Sequence, residues 1–213
     1  MISEKNFSIN PEDEQEQAII IKKSSEAPQE IKENPFYDSE FWARANSPDD
    51  IYLPDSDEAI SFAIAAHEIG HLIEEGKRDD ARLDNFEATL AEEKRAWDKG
   101  WEYLKKYALE YYKDSPETFL KIQKAFDRIR GLLIQAVNLS KEMYLEKGIL
   151  DNLNNKEVKK ITKEKRENFF SEKGEEFKQL FEKVKKEKIG VKPDWDKFVV
   201  IVKKAVEDVI KYN

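Results

Sequence analysis

The chain has 213 residues, of which 38 % are charged and only seven each are Gly and Pro. This composition favours long helices around one hydrophobic core, and the absence of cysteine excludes disulfides and thiolate metal sites. The formal net charge of −8, the lack of an apolar leader and the lack of a membrane-length apolar stretch lead us to expect a cytoplasmic protein with no nucleic-acid or membrane partner.

The first third of the chain is acidic and polar, and residues 1–35 are predicted to be a flexible tail. Within it, residues 18–21 are apolar and predict a short strand or docking segment. Residues 36–45 predict a short helix on the core, and residues 51–53 predict one short extended segment before Pro54. The tail is interpreted either as a solvated terminus or as an inhibitory segment that covers a cleft, and the residues leave both open.

A central helix is predicted next. Asp55 followed by Glu58 matches a capping box at its start, and Gly76 is a natural residue at its end. Residues 59–66 are apolar nearly all round, so this helix should lie in the core.

Further helical segments are predicted downstream. The second helix runs from about Leu83 to Tyr112, and the third from Pro116 to Glu146. Two Lys/Glu-rich helical stretches with solvated faces follow within residues 156–188, and a linker at residues 189–193 precedes the last helix. Asp194 caps that helix, whose apolar stripe consists of Phe198, Ile201, Val202, Ala205, Val209 and Ile210.

The predicted fold class is therefore mainly α, with at most a short edge strand. We divide the chain into the tail, a helical core at residues 36–150 and a C-terminal helical region at residues 151–213. The sequence leaves the oligomeric state open.

The chain contains two histidines, His67 and His71, with Glu68 between them. Residues at i and i+4 of a helix lie one above the other, so both imidazoles can reach one metal ion. Glu68 is placed beside that ion, where a carboxylate can take a proton from an activated water. The alternative is a pair of histidines satisfied within a helical core.

Glu93 is the preferred third ligand. It fills the gap between Leu90 and Trp97 in the apolar stripe of the second helix, where a lone carboxylate is unfavourable without a cation. Glu92, Glu87 or an aspartate of the loop at residues 79–84 could take the same role. The small residues Ala96 and Gly100 predict that this helix closely approaches Ala66 and Gly70.

Over about residues 50–112, these motifs resemble the gluzincin HExxH zinc metallopeptidases, of which the minigluzincins are closest in size. The resemblance implies a zincin-like core and Zn²⁺ bound by His67, His71 and Glu93. It also implies that Glu68 is the general base. If residues 51–53 are an exposed edge strand and not an ordinary connecting segment, it implies that a peptide or protein substrate adds as a strand beside them.

Two departures from the family pattern concern the surroundings of the metal. Trp97 stands where many gluzincins carry an aspartate that supports a histidine ligand. No further histidine is present to stabilise an oxyanion, so that role is expected, with no preference among them, for Tyr52, Tyr103, Tyr107, Arg82 or Arg95.

The sequence thus predicts a zinc-dependent peptidase. The alternative is a non-catalytic zinc-binding protein with a regulatory or partner-binding role. A closed four-ligand site favours the alternative, whereas a cleft beside Glu68 counts against it.

Overall fold

The computed structural model describes residues 18–33, 37–73, 86–139 and 155–212. The described residues form six α-helices and three short strands, which confirms the mainly helical fold class. The helices are α1 (Gln29–Lys32), α2 (Glu58–Ile73), α3 (Phe86–Tyr111), α4 (Pro116–Leu139), α5 (Asn155–Lys186) and α6 (Trp195–Tyr212). The strands are β1 (Ile21–Lys23), β2 (Arg44–Ser47) and β3 (Asp50–Leu53).

The three strands form one small sheet in the order β1-β3-β2. β1 runs parallel to β3, with Ile21 opposite Ile51, and β2 runs antiparallel to it. The expectation that residues 51–53 form an edge strand is therefore wrong, because β3 is the central strand. Ile51 and Leu53 are almost fully buried, which explains why this segment takes the position with a neighbour on both sides.

The predicted strand in residues 18–21 is confirmed in part, since β1 begins at Ile21. This strand lies inside the segment assigned to the tail; the division into tail, core and C-terminal region remains a prediction. Residues 1–17 lie outside the described residues, as do the predicted helix ends at Gly76 and Glu146.

The predicted helix at residues 36–45 is wrong. The carbonyl of Asp38 accepts hydrogen bonds from the backbone N–H groups of Phe41 and Trp42, which closes a single turn. The chain then enters β2 at Arg44, because pairing with β3 satisfies the backbone hydrogen-bonding groups that further helix would have paired. Phe41 is buried and packs on Phe181, with ring centroids 5.4 Å apart.

α2 is the central helix, as predicted, and most of its residues are buried. Its N-cap is Asp57 and not Asp55. The carbonyl of Asp57 accepts the first helical hydrogen bond, from Ser61, and its Oδ1 accepts a second, from the N–H of Ala59 at 3.0 Å. Asp55 instead forms an ion pair with Lys23 at 3.0 Å.

Asp57 also binds the loop that precedes α6. Its carboxylate accepts hydrogen bonds from three consecutive N–H groups, those of Ile189, Gly190 and Val191, at 2.8–3.1 Å. Gly190 has φ +81°, a conformation that glycine adopts without strain. The predicted linker is therefore a structured loop fixed to the start of α2.

The C-terminal helices differ from prediction in the continuity of α5 and in the buried stripe of α6. The two expected Lys/Glu-rich stretches form one continuous helix, α5, in which Leu180 and Val184 are buried. α6 begins after Asp194, its predicted cap. Its buried stripe includes Val206, which was not predicted, whereas Ile210 of the predicted stripe is 42 % exposed. Among the described residues, no helix is sufficiently long and apolar to cross a bilayer.

Candidate metal centre

The crossing of α2 and α3 brings the candidate ligands together. A Cβ atom at Gly70 would lie 1.9 Å from the carbonyl oxygen of Ala96, and one at Gly100 would lie 1.6 Å from that of Ala66. Such distances are far below van der Waals contact, so the two helices meet backbone to backbone only because both positions are glycine. The predicted close approach is confirmed.

At this crossing, His67 and His71 of α2 meet Glu93 of α3. The Nε2 atom of His67 lies 2.7 Å from Oε2 of Glu93 and 3.0 Å from Nε2 of His71. The Nε2 atom of His71 lies 3.7 Å from Oε1 of Glu93. One donor atom from each residue thus points into the same small volume, and all three atoms lie within 4.8 Å of one another.

The donor set and its spacing suit a zinc ion. Zn–N and Zn–O bonds of about 2.0–2.1 Å at tetrahedral angles put neighbouring donor atoms about 3.3 Å apart. Nε2 of His67 lies 2.7 Å from one oxygen of Glu93 and 3.0 Å from Nε2 of His71, and Nε2 of His71 lies 3.7 Å from the other oxygen of Glu93, so the distances fall on either side of that value. The structure therefore shows a His-His-Glu group able to hold a metal ion.

Glu93 belongs to this group, and its neighbour Glu92 does not. The direction of the α3 stripe explains the difference, since adjacent residues project about 100° apart around a helix. The side chain of Glu87 and the aspartates of the loop at residues 79–84 lie outside the described residues, so Glu93 is the carboxylate that the described part of the chain places beside the two histidines.

The electrostatics of the site are those of a carboxylate held among imidazoles. Burial lowers the pKa of His67, but the hydrogen bonds of its ring to Glu68 and Glu93 outweigh burial and raise that pKa to about 9. Burial raises the pKa of Glu93, whereas the hydrogen bonds from His67 and His71 bring it far below its usual range. Glu93 is therefore ionised, and positive charge in this volume is stabilised.

Trp97 packs against the first histidine. Its indole ring stacks on the imidazole of His67, with centroids 4.5 Å apart and planes 17° apart. Trp97 is itself almost completely buried, so the stack has a fixed position. Where many gluzincins support a histidine with an aspartate, this chain supports His67 by packing.

The Nδ1 atoms of the two histidines have different surroundings. Nδ1 of His67 lies 3.4 Å from Oε1 of Glu68, which turns Nε2 toward Glu93. Nδ1 of His71 is buried and has no hydrogen-bond partner among the residues that the structure describes. Glu68 is thus the one described polar group that contacts the outer nitrogen of a candidate ligand.

A cleft of about 740 Å³ opens directly over the site. His67, Glu68 and Glu93 lie in its floor together with Ile64 and Trp97. Its remaining walls come from the loop before β2, from the end of α4 and from α5, and they are mainly apolar. The site is therefore open on the side of Glu68, where a substrate can enter.

The wall formed by α5 was not predicted from the sequence, where the Lys/Glu run suggested a solvated helix. Phe177, Phe181 and Lys185 line the cleft at spacings of four residues. The signal that identifies this face is the pair of phenylalanines within the charged run, next to the buried Leu180 and Val184.

Four of the five residues expected to stabilise an oxyanion do not line the cleft. Tyr52, Tyr103, Tyr107 and Arg95 are all absent from the cleft lining, and Arg82 lies outside the described residues. The tyrosine that lines the cleft is Tyr37, whose hydroxyl donates a hydrogen bond to the carbonyl of Ser24. Burial raises the pKa of Tyr37 above its ordinary value.

Comparison of the chain with models of protein families, with curated proteins and with solved structures finds no significant match. The fold and the site together define a mainly helical protein with a possible His-His-Glu metal centre beneath an open cleft.

Proposed function

We propose that the protein is a zinc-dependent peptidase in which His67, His71 and Glu93 bind the metal and Glu68 is the general base. The observation that carries the proposal is the position of Glu68 in the lining of an open cleft that also contains His67 and Glu93, two of the three donor residues. The resemblance of these motifs to gluzincins supports the same activity.

In the proposed hydrolysis, the metal ion and the residues of the chain have different roles. A zinc ion held by His67, His71 and Glu93 would act as a Lewis acid that polarises the scissile carbonyl and lowers the pKa of the attacking water. Glu68 accepts the proton that this water loses and donates it to the departing amine. The cleft walls hold the peptide across the site, and Trp97 keeps His67 in its orientation.

A non-catalytic metal site is the second candidate, and one observation favours it. The carboxylate of Glu68 is 3.4 Å from Nδ1 of His67, a position in which it orients a ligand without taking part in a reaction. The open cleft favours catalysis over this second candidate, because a structural zinc is normally enclosed by four protein ligands.

The first experiment is elemental analysis of protein purified without added metal. We expect about one zinc per chain in the wild type and in Glu68→Gln, and loss of zinc in Glu93→Ala. Glu92→Ala is the matched control, since it removes the same chemical group one residue away and should keep the metal. A wild type without zinc, or a Glu93→Ala variant that keeps it, contradicts the proposed ligands.

Peptidase activity is then tested by digesting a peptide library with the zinc-loaded wild type and with Glu68→Gln. We expect the wild type to cleave and the variant, which keeps its metal, to lose at least about 100-fold in rate. Equal cleavage by both proteins contradicts the role of Glu68 as general base, and zinc binding without any cleavage supports the non-catalytic role.

A further inference from the structure

We propose that α5 is the specificity wall of the cleft, and that Phe177, Phe181 and Gly174 form, with Phe41 and Trp42, a pocket for a bulky apolar side chain of the peptide. This inference rests on the proposed function, because it assigns the substrate class of the same site. The residues that form the pocket all lie outside residues 50–112, the segment that resembles gluzincins.

One face of α5 lines the cleft. Its cleft-lining residues recur at the spacing of a single helical face, and they are Gly174, Phe177, Lys178, Phe181, Glu182 and Lys185. The buried Leu180 and Val184 anchor the neighbouring face of the same helix. The orientation of α5 is therefore fixed by packing, and the two phenylalanines line the same cleft as His67 and Glu93.

The aromatic side chains form a continuous row from α5 to the opposite wall. The rings of Phe177 and Phe181 are 6.4 Å apart, and the ring of Phe181 is 5.4 Å from that of Phe41. Trp42, the next residue, also lines the cleft. Aromatic walls of this kind bind large apolar groups and give little affinity to small or charged ones.

Ionic contacts hold the two walls at a set distance. Lys185 pairs with Asp38 at 3.8 Å, and Lys188, just beyond α5, pairs with Glu40 at 3.1 Å. Lys185 and Asp38 thus add charge to the cleft lining, in which most of the other wall residues are apolar. A volume of about 740 Å³ accommodates a short extended peptide with its side chains.

Gly174 leaves an opening in this wall. A Cβ atom at Gly174 would meet no atom within 4 Å, so a larger side chain enters cleft space without displacing the fold. Gly131 of α4 is the matched control, because a Cβ there also meets nothing within 4 Å and the residue does not line the cleft. Gly174→Leu therefore narrows the pocket, and Gly131→Leu adds the same side chain elsewhere.

The test uses quenched fluorescent peptides that carry a single Phe, Leu or Ala in an otherwise Gly-Ser background. We expect zinc-loaded wild type to cleave the Phe and Leu peptides at least about tenfold faster, in kcat/KM, than the Ala peptide. Gly174→Leu should lose at least about tenfold on the Phe peptide while keeping its zinc, and Gly131→Leu should match the wild type. Equal cleavage of all three peptides, or a Gly131→Leu variant as impaired as Gly174→Leu, overturns the proposal.

Binding to the inert Glu68→Gln variant separates this inference from the proposed function. Trp42 lines the pocket, so tryptophan fluorescence reports peptide binding without cleavage. One outcome is that no peptide is cleaved, the Phe peptide binds at least about tenfold more tightly than the Ala peptide, and Gly174→Leu removes that preference. This outcome supports the pocket and contradicts the peptidase activity. If cleavage occurs without any preference in binding, the pocket fails and the activity stands.

Discussion

The indole of Trp97 and the imidazole of His67 lie face to face, 4.5 Å apart between ring centroids. This stack fixes the plane of the His67 ring. The outer nitrogen of that ring, Nδ1, has only a 3.4 Å contact with Glu68. Packing and hydrogen bonding thus share the task of orienting His67.

Trp97→Ala is expected to reduce both stability and zinc affinity, because the ring supports His67 and fills the core. Loss of a buried aromatic side chain costs about 3–5 kcal/mol of unfolding free energy. Trp101→Ala is the control, since Trp101 is buried and stacks on Phe126 without contacting His67. Denaturation and zinc titration of the folded fraction check this; equal zinc affinity in the two variants contradicts a role for the stack.

Gly100→Ala is expected to separate α2 from α3 and to abolish zinc binding. The added methyl would lie 1.6 Å from the carbonyl oxygen of Ala66, so the helices must move apart. We expect a loss of at least about 1–3 kcal/mol in stability. Gly131→Ala, in open space on α4, should be neutral or stabilising by up to about 1 kcal/mol. Retention of tight zinc binding by Gly100→Ala contradicts the backbone-to-backbone crossing.

Glu68→Gln and Glu68→Ala are expected to differ in zinc affinity. Glutamine keeps an oxygen that accepts a hydrogen bond from Nδ1 of His67, and alanine does not. Loss of such an outer contact typically weakens metal binding about 10–100-fold, so Glu68→Ala should show that loss and Glu68→Gln should not. Competition titrations with a zinc chelator measure it. Equal affinities indicate that Glu68 does not orient the histidine.

Asp57→Ala is expected to destabilise the protein by about 3 kcal/mol or more, since four backbone N–H groups lose a charged acceptor. Asp55→Ala, two residues away, removes only a partly exposed ion pair with Lys23 and should cost no more than about 1 kcal/mol. Urea denaturation of the two variants measures the difference. Similar losses would show that the contacts of Asp57 to the loop at residues 189–191 contribute little.

Glu58→Gln is expected to change the pH dependence of stability. Burial raises the pKa of Glu58 above its ordinary value, although a hydrogen bond with Tyr112 lowers it. The folded protein therefore keeps a proton that the unfolded chain has already released, and this group makes stability fall as pH rises above about 4.5. The free energy of unfolding of Glu58→Gln minus that of the wild type should grow between pH 4 and pH 7. A constant or shrinking difference contradicts the raised pKa.

The metal group was predictable from sequence because its signals are local. The helical repeat alone predicts that His67 and His71 lie on one face. Glu93 is identified because it fills one gap in an apolar stripe of the same period. The glycine at position 100 then predicts the close approach of the two helices, which the structure confirms.

What could not be predicted depends on contacts between distant parts of the chain. Nothing near Asp57 indicates that its carboxylate binds a loop more than 130 residues later, so Asp55 was as good a cap on local grounds. β3 is central because β1 and β2 both pair with it, and residues 51–53 alone do not reveal two partners. Which face of α5 is buried depends on the parts of the chain that pack on it, and the charged composition of the helix does not reveal these contacts.

The attachment of residues 189–191 to Asp57 has a consequence for the order of events during synthesis. All three candidate ligands lie before residue 94, but the loop that secures the start of their helix is 132 positions beyond Asp57. A growing chain therefore carries every donor atom long before it can make these contacts or form the α5 wall. We expect zinc to be bound tightly only after residues 189–191 have been synthesised and have joined Asp57, so that a nascent chain ending before them lacks a fixed metal site.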